Sequence, residues 1–249
     1  QSMTAIGATD TRSIKLDKFS ISDYKLDFGL QYTYKLNKKN TINIGAVYTL
    51  GRTLHGDAYK YHQTGAESNG SIYVQSQTGD TIPNPFKMPH TFGIGLTYVY
   101  DNRLTIGVDY TLQKWNTADL AWSKFNKESV EMNSRTKIAF GAEFVPSYIS
   151  HNYLKRIRYR MGAYCSSPYN KVSYTSPDTG TTSFQDGARE YGVSIGFGLP
   201  MFQSKSMLNI SGQYIKVSPK FKGLMEENYL RINIGLTFNE RWFMKWKVD

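Results

Sequence analysis

Gly192-Val193-Ser194-Ile195-Gly196 has the spacing of a nucleophile elbow. In that motif a serine sits on a sharp strand-to-helix turn, with a later histidine taking its proton. Here the last histidine is His151, upstream of the serine, and the residues around Ser194 continue to alternate as a strand. The segment therefore reads as wall, with glycines that keep one surface low, and no enzyme is expected. His55, His62, His90 and His151 fall in loops or turns without the i, i+4 spacing of a helical metal site. Cys165 is the single cysteine, so neither an intramolecular disulfide nor a cysteine-based metal site is expected. No metal and no cofactor are predicted. Asn69-Gly70-Ser71 matches a glycosylation acceptor, a pattern too common to carry weight.

Charged residues interleaved with apolar ones say more. Asp27, Asp109, Glu143 and Glu190 share a parity with Lys25, Lys35, Arg135, Lys137, Arg156, Arg158, Arg160 and Arg231 in their respective segments. A period of two puts them all on one face of a sheet. If the opposite face met lipid, a charge there would cost about 2–4 kcal/mol at mid-depth, and that face carries none. The favoured reading is a network of ion pairs bracing an inner wall. The alternative is a polar guide for the anionic head of an amphiphile, with Arg158, Arg160 and Arg231 as forked donors. The candidate ligand-binding set is Asp27, Asp109, Arg135, Glu143, Arg158, Arg160, Glu190 and Arg231.

Long alternating runs must position these side chains. Tyr24, Leu26, Phe28, Leu30, Tyr32, Tyr34 and Leu36 alternate with polar residues or glycine, and Asn37-Lys38-Lys39-Asn40 then turns the chain. Similar runs follow around residues 42–50, 92–100, 104–112, 138–144, 157–165, 191–199, 208–214 and 230–238. This predicts about nine strands of roughly 10–13 residues, against about 5–6 in a globular sheet. Short connections alternate with the long segments 52–89, 116–133, 166–189 and 217–228. Short turns at one end and long loops at the other is the plan of an outer-membrane barrel, with the short turns periplasmic. Apolar-face aromatics gather at both ends, as at two membrane interfaces. A soluble β-sandwich also alternates but expects shorter strands and less uneven loops.

The chain has 249 residues, of which 40% are hydrophobic and 14% aromatic, and it carries a net charge of +10. No apolar stretch approaches the ~18–20 residues of a spanning helix, and an alternating strand averages its two faces away. The basic balance admits nucleic acid as a partner, but the charges are dispersed and no binding module is visible, so none is predicted. No signal peptide is apparent at Gln1. Residues 1–23 read as a loop and strand extension, 24–240 as the barrel, and 241–249 as a periplasmic tail.

Phe92-Gly93-Ile94-Gly95-Leu96 after Pro89, then Leu104-Thr105-Ile106-Gly107-Val108-Asp109-Tyr110 and Trp115, resemble the FadL family. So do Phe140-Gly141-Ala142-Glu143-Phe144, the run from Tyr159 to Tyr164, and the run from Tyr191 to Pro200. These are outer-membrane transporters of long-chain fatty acids and other hydrophobic compounds. The resemblance covers Lys25 to the C-terminus and rests on the order of short motifs. It implies a bacterial outer-membrane location and the C-terminal part of a barrel of roughly 14 strands. It further implies passive uptake of a hydrophobic ligand and contact with outer-membrane lipid and lipopolysaccharide. The family's N-terminal hatch and laterally opening strand have no match, which is read as a truncation or an omitted first half. The alternative function is a non-transporting subunit of an outer-membrane secretion or assembly complex, with protein partners.

Overall fold

The computed structural model describes residues 11–68, 71–117, 131–175, 182–201, 206–219 and 225–238. The main body is one nine-stranded antiparallel sheet, built from β2 (Asp27–Lys35), β3 (Asn40–Thr49), β6 (Thr91–Tyr100), β7 (Leu104–Gln113), β8 (Arg135–Phe144), β9 (Arg158–Ser166), β12 (Ala188–Pro200), β13 (Met207–Pro219) and β14 (Glu227–Thr237). Each strand lies beside its predecessor in this series. The nine match the nine expected from alternation, and their lengths run from 9 to 13 residues.

Turn chemistry fixes the short connections. Asn37 Oδ1 accepts the backbone N–H groups of Lys39 and Asn40, folding the β2–β3 turn. Asp101 and Asn102 adopt φ of 49° and 53°, the left-handed pair of a type I′ hairpin between β6 and β7. The β8–β9 connection is longer and holds a 3-10 helix over Tyr153–Arg156.

Two segments read as long loops contain strands. β4 (Gly56–Ser68) and β5 (Ser71–Pro83) form a hairpin, and β1 (Thr11–Ile21) pairs along β4 to make a separate three-stranded sheet. Thus β1 lies within what the sequence marked as an N-terminal extension. A second hairpin, β10 (Lys171–Thr175) with β11 (Thr182–Asp186), lies between β9 and β12. Apolar alternation in these strands is short or interrupted by polar runs, so they offered little contrast to read. Arg156 is also corrected: it ends the 3-10 helix and does not lie on the strand face. The 241–249 tail lies outside the described residues.

Register lines the main sheet into two unlike faces. One row runs Tyr32–Ile44–Leu96–Val108–Phe140–Ala163–Val193–Tyr214–Leu230. Every charged residue in the described sheet except Arg189 and Lys216, at the long-loop ends of β12 and β13, lies on the other face. The apolar face is open: Leu30 is 76% exposed, Ile195 62% and Ile234 73%. Burial is correspondingly sparse, and Val145 and Ile157, flanking the β8–β9 turn, are among the few buried apolar side chains.

The described sheet does not close into a barrel. β2 and β14 are its edges and are exposed along their whole length. Nine antiparallel strands leave the two edges pointing the same way, so they cannot join each other by antiparallel pairing.

Candidate functional site: the charged face of the sheet

Five of the eight sequence-predicted site residues meet in two knots on β8, β9 and β12, while Asp27, Asp109 and Arg231 stand apart on β2, β7 and β14 of the same face. Glu143, near the end of β8, stands opposite Arg160 of β9. Its carboxylate accepts Arg160 Nε at 2.7 Å and Arg158 Nη1 at 3.2 Å. Arg160 Nη1 also donates to Asn209 Oδ1 of β13 at 2.8 Å, so this one side chain ties β8, β9 and β13 across β12. The crossing needs glycine beneath it. Gly196 is the β12 residue opposite Arg160, and a Cβ there would stand 3.2 Å from the Cβ of Ser211. Gly198 lies likewise under Arg158, where a Cβ would come within 3.1 Å of the arginine Cβ.

A second knot lies toward the long-loop end. Glu190 accepts Tyr164 Oη at 2.5 Å and pairs with Arg135 Nη2 at 3.6 Å. Arg135 Nε donates to Ser166 Oγ at 2.7 Å, and that serine is buried. The Tyr164 ring lies over Gly192, where an added Cβ would sit 2.0 Å from a ring carbon. Lys137 Nζ rests 4.4 Å from the centre of the same ring, a cation–π contact. Glu143 thus draws on arginines from the next strand and Glu190 on one from two strands away, and these cations are held against carboxylate, amide, hydroxyl and ring.

The other predicted residues are not gathered in. Asp27, on the β2 edge, pairs with Lys25 at 3.0 Å and accepts Thr49 Oγ1 at 2.5 Å. Asp109 lies beside Gly95, where a Cβ would meet its Oδ1 at 2.3 Å. Arg231 is on β14 opposite Gln213 and forms no salt bridge among the described residues. Alternation found the charged members of both knots but not Asn209 or Ser166, whose neutral side chains give no signal beyond parity.

Ser194, the serine of the elbow-like motif, sits mid-strand in β12 with its hydroxyl 3.5 Å from the Gly162 carbonyl. The long-loop rim has a knot of its own. Asp23 accepts the backbone N–H groups of His55 at 2.9 Å and Tyr24 at 2.7 Å, and Arg52 Nη1 lies 3.4 Å away. Arg52 in turn covers the Tyr24 ring at 4.1 Å. Those two amide bonds, foremost the one from His55, hold the Asp23 carboxyl below its ordinary range. No group of His, Cys, Asp and Glu among the described residues could hold a metal ion.

The family model for BamG matches residues 1–249, the whole sequence. The chain belongs to the BamG family. This overturns the FadL resemblance, since BamG is a distinct family from the FadL-type transporters. The motifs that suggested FadL are stretches of alternating strand with glycine on the polar face. Any sheet with one apolar and one glycine-thinned polar face needs such stretches, and so they carry the architecture and little identity. No curated protein matches the sequence.

Proposed function

We propose that this BamG-family chain is an outer-membrane component that acts as a structural subunit of a multiprotein assembly, its nine-stranded sheet forming part of a membrane-spanning wall. The observation that carries the reading is the open apolar face. From Tyr32 to Leu230 its mid-strand row is uncharged, and many of its large side chains are more than two-fifths exposed. Water penalises such a surface, whereas lipid or a second protein layer does not. The charged face, braced by the Glu143 and Glu190 knots, then turns away from lipid. Family membership supports outer-membrane association and protein partners there. It gives no support to uptake of hydrophobic compounds, the reading first favoured from sequence.

Equal edge directions fit this role. Completion of an antiparallel wall between β2 and β14 takes an odd number of further strands. The protein should fractionate with outer membranes, resist alkaline carbonate extraction, and bring stoichiometric partner proteins through affinity purification in mild detergent. Recovery from the soluble fraction without detergent would refute the membrane reading, and purification as a lone species would refute the subunit reading.

A further inference from the structure

At the short-turn end of the apolar face lies a hollow of about 580 Å³, lined by Tyr153, Leu199, Pro200, Met201, Leu208 and Leu236. Its floor is a cross-strand row, Leu199 of β12 against Leu208 of β13 against Leu236 of β14. Its wall is the β8–β9 turn, which is held in place by several bonds. Asn152 Oδ1 accepts the Leu154 N–H at 3.0 Å, Ser147 N–H reaches the Lys155 carbonyl at 2.8 Å, and Tyr159 Oη donates to the Leu154 carbonyl at 3.0 Å. The hollow is therefore preformed.

The β8–β9 connection that walls the hollow carries charge of one sign. In a 3-10 helix, residues i and i+3 eclipse, so Arg156 stands on the same side of the turn as Tyr153. Arg156 makes no hydrogen bond or ion pair among the described residues, unlike Arg158 and Arg160 two and four positions on. Residues 145–157 contain His151, Lys155 and Arg156 and no aspartate or glutamate. An apolar slot beside a guanidinium that has no partner among the described residues matches an amphiphile whose acyl chain enters the slot and whose phosphate meets the fork. Short turns face the periplasm in an outer-membrane wall.

We propose that this hollow binds one anionic glycerophospholipid of the periplasmic leaflet, with Arg156 receiving the phosphate and Tyr153, Leu199, Leu208 and Leu236 the acyl chain. This rests on the membrane reading above. The test is native mass spectrometry of the detergent-purified full-length protein, titrated separately with phosphatidylglycerol and with phosphatidylcholine of the same acyl chains. Phosphatidylglycerol is expected to be retained as a single preferred adduct. Arg156→Gln should weaken that adduct about 5–10-fold, the loss of one charge-assisted bond, and leave phosphatidylcholine unchanged. Lys39→Gln, on the β2–β3 turn, should change neither. Glycerophosphate without acyl chains should not compete.

Equal retention of the two lipids overturns the proposal, as does an Arg156→Gln protein that behaves like the parent. An equal drop in both variants would mean diffuse surface charge and overturns it too, and competition by glycerophosphate would reduce the site to a simple anion contact. Each of these outcomes can occur while the protein still fractionates with outer membranes, so a failed lipid site and a failed membrane reading are separable.

Discussion

Glu143 shows how one carboxylate is made to serve three strands. It takes Arg158 and Arg160 from β9, while Arg160 spends a second N–H on Asn209 of β13. The groups are a quarter to two-fifths exposed, so solvent screens part of the attraction. Glu143→Gln should lower stability by about 1–2 kcal/mol, because it leaves two guanidinium groups without an anion. Urea unfolding of the detergent-solubilised protein measures it, and Asn209→Ala should cost less. Gly192 tests the packing side of the same face. A methyl group there enters the Tyr164 ring, so Gly192→Ala should displace the ring, break its bond to Glu190 and cost about 1–3 kcal/mol. Unfolding at the parental midpoint would show that the ring moves aside freely. The charged participants were readable from parity in the sequence. The roles of Gly192, Gly196 and Ser166 were not, because a glycine under a crossing arginine looks like any other glycine until the register places the two together.

At the scale of elements, the rim knot joins the β1–β2 junction to the segment between β3 and β4. Asp23 is the acceptor, and its lowered pKa fixes the sign of the pH effect. A depressed carboxyl contributes above its unfolded value of 3.8, and the contribution fades as pH falls through the lower folded value. Protection of the His55 amide from hydrogen exchange should therefore persist at neutral pH and fade below about pH 4, whereas Asp23→Asn should remove that dependence. A His55 amide equally protected throughout would show that the knot is held by something else. The faces of β6 offer a second comparison. Ile94→Lys puts a charge on the apolar face and should cost about 2–4 kcal/mol of membrane-folded stability, while Thr97→Lys on the charged face should cost under about 1 kcal/mol. Equal folding yields in lipid vesicles would argue against lipid on that face. These long strands were legible because their alternation is strong. β4, β5, β10 and β11 were not. Runs such as Gln75-Ser76-Gln77-Thr78 are polar at successive positions, so nothing in their pattern separates strand from loop.

For the whole molecule, the direction of the edges is the main constraint. If an odd number of strands fills the gap between β2 and β14, at least one strand spacing of ~4.8 Å on each side separates them. Cysteines placed at Tyr32 and Ile232 should then fail to form a disulfide, which needs Cα atoms within about 7 Å. Ready oxidation to an intramolecular disulfide would mean that the edges meet directly.

Sequence alone determined the number, length and facing of the nine main strands, because a period of two with one apolar face is imposed residue by residue. It also determined which end of the sheet has short turns and which face holds the charges. Tertiary structure decided which charges meet, since pairing depends on register across strands far apart in the chain. It also decided that β1, β4 and β5 form a sheet of their own and that the nine strands stop short of closure. Closure depends on how many strands there are and which way the edges run, and an alternating pattern looks the same whether its outer edges are joined or free.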